Sequence, residues 1–395
     1  LALRYFLTFF APLVLSCADP ALLDRVGQYL KQTSDMTGFA IRRQVPAAMI
    51  SRAELDRYLN TKMRNDVNPR KMELEELTLK LFGFAPPDFD LRKTTLDLLG
   101  EQAAAFYDFK ARKLYVLDHV SDTLGPELLI HELGHALADQ RYGLRKFLSR
   151  AGNDDAALAR MAVMEGQAMW LMGEYAARQA GASLRESPEI ARRFAQAEAD
   201  EDATHPVMQN VPLYLKESLL FPYSHGLRFQ VAVCEKHADC LSRVFEKPPA
   251  SSAQVMHPHL YFNQVQPESI PPPAAPKGWR KLHSGALGEI DLSILLRTFQ
   301  LSPRDITPAW RGGAYAVYQH KRSRNYLLTH SSIWEEESAA TRWLAAYASL
   351  LAARFPSLAV LRQEPDHFEA TANGARYLIR RTGRAVQAFQ GLPLN

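Results

Sequence analysis

The stretch His131-Glu132-Leu133-Gly134-His135 limits what this chain can fold into more than any other feature. Read as a helix, residues four apart lie one above the other on one face. His131 and His135 then bring two imidazoles to one point, where they can grip a single divalent cation. Glu132, beside the first, can reach a water on an open coordination position. Gly125-Pro126 stands just ahead, and proline is tolerated in a first helical turn. Leu128, Leu129, Ile130, Leu133, Ala136 and Leu137 make the segment apolar over much of its circumference, which predicts a buried helix. Two histidines and a glutamate inside such a helix need partners, because unpaired buried polar groups are costly. Hydrogen-bonded core histidines would meet that need but explain neither the spacing nor the adjacent glutamate.

A catalytic zinc site has three protein ligands and one exchangeable water. The third ligand is expected in a second, almost wholly apolar helix over 156–172, whose one acid is Glu165. A buried lone carboxylate tends to go neutral, and metal coordination is one way for it to stay ionised. Gly166, next to it, weakens the helix but lets another backbone approach closely. The rival is a structural pairing of Glu165 with Arg160 or Gln167, at offsets that do not face each other well on a helix. Asp139, Asp154, Asp155 and Glu174 are the other acids that could complete the set.

Together, H-E-L-G-H-A-L-A-D-Q at 131–140 and M-E-G-Q-A at 164–168 resemble the gluzincin-type zinc metallopeptidases. More narrowly, the chain resembles bacterial secreted proteins that carry these two motifs and then a P-P-x-S-x-x-Q-x-x-H-P segment, present here from Pro248 to Pro258. The resemblance is strong over 40–265 and weak beyond. It implies His131, His135 and Glu165 as zinc ligands and Glu132 as the base. One departure stands out. Many gluzincins place an acid four residues after the ligand glutamate, where this chain has Met169, so support for a histidine must come from elsewhere. Asp139, one turn after His135, is the candidate.

With 395 residues, 47% of them apolar and 23% charged, the chain has the balance of a globular protein with room for more than one domain. A net charge of +4 with no long basic run argues against nucleic acid as a partner. Arg4 is followed by an apolar block ending at Val14-Leu15-Ser16-Cys17, too short for a comfortable membrane span and suited to a signal peptide over 1–17. The last four residues resemble a lipobox, which would leave Cys17 lipid-modified; Ser16-Cys17-Ala18 also fits ordinary cleavage. Export to the periplasm or beyond is therefore expected, with membrane contact only through this segment. Of the remaining cysteines, Cys234 and Cys240 would be about 9 Å apart along one unbroken helix, too far to bridge. A turn near 237–239 would let them pair, and export would permit it.

The fold class expected is α+β: a mainly helical, zincin-like domain over 18–275 with a small hairpin or edge sheet, then a small α+β unit over 280–395. Helices are expected over 21–32 and 73–82, and Ser51-Arg52-Ala53-Glu54 reads as a capping box. Residues 104–117 read as a hairpin whose edge could pair with an extended peptide, or could have no substrate role. Helices should dominate 126–246. Residues 248–261 read as a loop, and 271–276 as a semi-rigid connector. Farther on, strands are expected at 315–319, 326–329, 368–371, 376–380 and 385–389, with a helix over 338–355.

Candidates to donate to the developing oxyanion are Tyr223, His225 and His257, the first two expected in a loop after Phe221-Pro222. His119, His205, His237 and His320 receive no role. The reading is a Zn²⁺-dependent hydrolase of polypeptide substrates, with Glu132 taking a proton from water and delivering it to the leaving amine. The alternatives are hydrolysis of a non-protein amide and a zinc-stabilised binding protein without turnover. The intact Glu132 argues against the last, since structural zinc sites are closed by four protein ligands and need no base.

Overall fold

The computed structural model describes residues 21–118, 125–200 and 206–394; the 1–17 segment with Cys17, and also His119 and His205, lie outside the described residues. The described residues open with α1 (Ala21–Asp24), α2 (Val26–Thr37), strand β1 (Ala47–Ile50), α3 (Arg52–Asp66), α4 (Pro69–Phe82) and α5 (Leu91–Gln102). The capping box forms: Ser51 Oγ accepts from the Glu54 N–H, and the Glu54 carboxylate accepts from the Ser51 N–H. Gly83 ends α4 with φ 86°, a left-handed conformation that suits glycine.

The expected hairpin is β2 (Ala105–Asp108) and β3 (Lys113–Leu117). β1 adds to it parallel to β3, giving the order β1-β3-β2. β2 is thus an edge strand, yet all four of its residues are buried, because it lies against α6 (Gly125–Tyr142), the helix of the His-Glu motif.

α7 (Leu144–Ser149) leads to α8 (Asp154–Gln179), then α9 (Pro188–Asp200), α10 (Pro206–Asn210) and α11 (Leu213–Lys236). Residues 223–226 are not the expected loop. They lie inside α11, which runs straight through Pro222. A proline inside a helix removes one backbone hydrogen bond and crowds the preceding turn. Packing offsets that penalty here, since α8 and α11 meet backbone to backbone. A Cβ on Gly166 would stand 2.2 Å from the Gly226 carbonyl, and one on Gly226 would stand 2.3 Å from the Ala162 carbonyl oxygen. The two glycines form one crossing point, which is the close approach that Gly166 alone had foreshadowed.

α11 ends at Lys236 and His237 is extended, so Cys240 folds back at the start of α12 (Cys240–Glu246) and forms a disulfide with Cys234. The unbroken helix that would have kept them apart does not exist. The segment 248–261 is likewise no simple loop: it holds α13 (Ser252–Met256) and α14 (Pro258–Phe262), each a single turn or so opened by Ser251 or Pro258.

The C-terminal part is larger in sheet than expected. Strands β4 (Trp279–Ala286), β5 (Trp310–His320), β6 (Tyr326–Trp334), β7 (Ala359–Glu364), β8 (His367–Ala372), β9 (Ala375–Thr382) and β10 (Ala385–Leu392) form one antiparallel sheet, ordered β4-β5-β6-β10-β9-β8-β7. α15 (Glu289–Thr298) follows β4 and packs on α11 and α13, and α16 (Glu337–Arg354) covers the sheet with Trp343 and Tyr347. The proline connector is pinned along the sheet, its Pro271 and Pro273 carbonyls accepting from the Ser331 and Thr329 hydroxyls. One apolar core runs from Val26 to Ala388 across both parts. Arg354 clamps them from the sheet side, its guanidinium donating to the Leu81 carbonyl at 2.7 Å and the Lys80 carbonyl at 3.0 Å, at the C-terminal end of α4. Among the described residues no helix is long and apolar enough to cross a membrane.

Candidate metal centre

α6 is buried almost all round, as its apolar composition requires. α8 crosses it closely at Gly134, where an added Cβ would meet Leu171 at 2.8 Å. That crossing sets Glu165 against both histidines. His131 Nε2 and His135 Nε2 are 3.2 Å apart, and Glu165 Oε2 lies 3.2 Å from the first and 3.3 Å from the second. All three side chains are at most 2% exposed. The three atoms form a nearly equilateral triangle.

Hydrogen bonding does not account for a triangle of this kind. Its edges outnumber the protons that two neutral imidazoles can place on Nε2, and an N–H aimed along one edge is about 60° off the other. A cation accounts for it better. Ligands 2.0–2.1 Å from a tetrahedral zinc stand about 3.3–3.4 Å apart, which is the spacing seen. Two buried carboxylate oxygens without partners among the described residues point the same way, Glu165 Oε1 and Glu132 Oε1. Two imidazoles and a carboxylate can hold a metal ion here.

The electrostatics follow from burial and from this clustering. Burial pulls the Glu165 carboxyl up, but His135 and His131 together outweigh it and hold the group below its usual range. Burial pushes His131 down. At His135 burial acts the same way, yet the Glu165 carboxylate overrides it and the net direction is up. Burial pushes Glu132 up to about 8.

Glu132 is fixed by a contact that the sequence did not disclose. Its Oε2 accepts the Tyr107 backbone N–H at 2.8 Å, leaving Oε1 without a partner. The Tyr107 hydroxyl donates to Asp139 Oδ2 at 3.2 Å. Alternating residues 104–117 had announced the strand but not that its outward N–H would anchor the carboxylate. That N–H is therefore not free to pair with a peptide, and β2 is covered along its length.

The other acids considered as ligands have different work. Asp139 does not support a histidine: it binds Arg43 at 3.2 Å, the Tyr107 hydroxyl and the Leu144 N–H. Glu174, fully buried, ties Arg178, Ser183 and the Leu184 N–H together at the end of α8. Asp155 accepts the Ser252 N–H, and Asp154 lies beside Gly285 and Tyr315. Of the three oxyanion candidates, Tyr223 neighbours the centre, its ring within 16° of parallel to the His131 ring with centroids 6.3 Å apart. His225 stacks on Phe221 instead, and His257 pairs with buried Glu289 at 2.8 Å, joining α14 to α15.

A family model described as a domain of unknown function, DUF8575, matches residues 279–394, which hold the seven-stranded sheet with α15 and α16. No curated protein and no solved structure matches the chain. The fold and the centre define an α+β protein with a buried two-histidine, one-glutamate cluster on crossing helices.

Proposed function

We propose that this chain is a zinc-dependent hydrolase of amide bonds with a zincin-like arrangement of its centre, and that polypeptide is its substrate class. The observation that carries the reading is the triangle of His131, His135 and Glu165 beside a glutamate with one carboxylate oxygen unpartnered. Those three residues would hold the metal. Bound there, zinc supplies Lewis acidity toward a carbonyl and toward water. Glu132 is the group that moves a proton. Its Oε2 is held by the Tyr107 N–H, so Oε1 is the atom that takes a proton from the attacking water and returns it to the leaving nitrogen. Burial keeps its affinity for a proton near neutrality, and a bound cation would draw that affinity down. Tyr223, beside His131, is the residue best placed to donate to a developing oxyanion.

The disulfide supports the export reading, since such bonds persist in oxidising compartments. One observation favours a second substrate class: β2 offers no open edge for an extended peptide, so a compact amide is the alternative. A digest of a peptide library with the zinc-loaded protein, with and without chelator, tests the proposal. Chelator-sensitive cleavage of peptides is expected. Cleavage that survives complete metal removal would contradict it, and activity confined to small amides would select the second class.

A further inference from the structure

Charge is divided unevenly over the seven-stranded sheet. Residues 271–288, 310–334 and 370–394 hold eleven Lys and Arg and no Asp or Glu. They supply β4, β5, β6, β10 and β9, which are neighbouring strands. At the end where β5 starts and β9 turns into β10, the cations are neutralised from outside those segments. Arg311 pairs with Glu335, Arg381 with Glu337 and Arg384 with Glu268. The opposite corner, where the edge strand β4 starts and β5 turns into β6, is different. Lys277, Arg280 and Lys281 lie at the start of β4, and Lys321, Arg322 and Arg324 lie in the turn. Trp279 pairs with His320, and the Lys321 N–H donates to the Gly278 carbonyl at 2.9 Å, so the two groups of three stand side by side. All six side chains are exposed, and among the described residues none forms an ion pair.

Apolar surface accompanies these cations. Tyr326, which ends the turn, is 39% exposed and Leu394 is 53% exposed. The chain after β10 lies against the turn, since a Cβ on Gly391 would stand 2.6 Å from the Tyr326 carbonyl oxygen. Half-buried Trp279 sits edge-on to His320, with ring centroids 5.1 Å apart. The cations stand on an edge strand and a hairpin end, so they face outward to a surface. Attraction to a charged plane depends on how many cations come within a Debye length of about 8–10 Å, and mobile side chains serve it as well as fixed ones. Tyr, Trp and Leu beside Lys and Arg match the layer where charged headgroups meet acyl chains; a soluble polyanion has no use for an exposed leucine.

We infer that this corner of the sheet docks on an anionic lipid bilayer. Neither metal nor turnover enters the inference, so it stands apart from the hydrolase reading. The test is flotation of the full chain with vesicles of phosphatidylcholine alone or mixed with phosphatidylglycerol. The neutral vesicles measure whatever the rest of the chain contributes. Binding to the mixed vesicles is expected to be about tenfold tighter or more, with the gap closing as salt rises. The combined variant Lys321→Gln, Arg322→Gln and Arg324→Asn should lose most of that gap with circular dichroism unchanged; asparagine suits residue 324, whose φ is 64°. Lys31→Gln, Arg70→Gln and Lys93→Gln together remove the same charge from exposed sites on α2, α4 and α5 and should keep it. Equal binding to both kinds of vesicle, a gap that survives in the turn variant, or one lost equally in the control variant overturns the inference. So does a turn-dependent affinity for a DNA duplex without any preference between vesicles, which would make the partner a soluble polyanion.

Discussion

Gly166→Ala pits local propensity against packing. In a helix interior alanine is favoured over glycine by about 1 kcal/mol, so α8 taken alone would gain. The crossing with α11 reverses the sign. A Cβ at Gly166 would stand 2.2 Å from the carbonyl carbon and oxygen of Gly226, where contact between carbons is comfortable at about 3.5 Å. Both sides of the clash are backbone, so no side chain can swing away and the helices must part by roughly 1 Å. Overpacking by a single methyl costs about 1–3 kcal/mol, and a backbone-on-backbone clash belongs at the upper end of that range, which leaves a net loss of up to about 2 kcal/mol once the propensity gain is subtracted. The shift also moves Glu165, the adjacent residue, whose Oε2 is 3.2 Å from His131 Nε2. Metal sites tolerate about 0.2 Å in ligand distances, so metal retention should fall with stability. Gly27→Ala is the control, because Gly27 lies in α2 with nothing within 4 Å of an added Cβ. Urea unfolding followed by circular dichroism, with zinc content of the same samples, measures both effects. Gly27→Ala should raise the midpoint and Gly166→Ala should lower it. A Gly166→Ala protein as stable as the wild type would refute the crossing-point argument.

Other perturbations test separate parts of the account. His330 is fully buried between Phe82 and Tyr347 with neither ring nitrogen hydrogen-bonded, and burial pushes it down to about 3. A histidine in the unfolded chain titrates near about 6.5, so below that pH the unfolded state binds more protons and stability falls by up to about 1.4 kcal/mol per unit. His330→Phe should flatten that acid limb, read as urea midpoints at about pH 7 and about pH 5; an unchanged pH dependence would contradict it. Arg354→Met strips the donors from the Lys80 and Leu81 carbonyls and should cost about 2–3 kcal/mol, seen as a lower denaturation midpoint.

The centre was legible because its signal is local. Two histidines one helical turn apart and a lone acid in an apolar helix carry their geometry in their spacing. What stayed hidden depended on long-range packing. Pro222 and Gly226 look like loop residues by propensity, and only the facing Gly166 explains why α11 continues through them. For Cys234 and Cys240 the sequence left a turn near 237–239 and an unbroken helix both open, because no strong breaker stands at His237, where α11 ends and the pair forms. β1 is four residues long and finds its parallel partner across more than sixty residues of sequence. The Tyr107 N–H is a backbone group, and no residue identity encodes where it points.

The most direct test of the central claim is Glu132→Gln at matched zinc content, assayed on a peptide that the wild type cleaves. The amide keeps the shape and can still accept the Tyr107 N–H, but it cannot take a proton from water. Zinc content and fold should be unchanged, while turnover drops by about 10²–10⁴-fold. A glutamine variant that retains wild-type turnover with one zinc per chain would contradict the assignment of Glu132, and with it the hydrolase built around this centre.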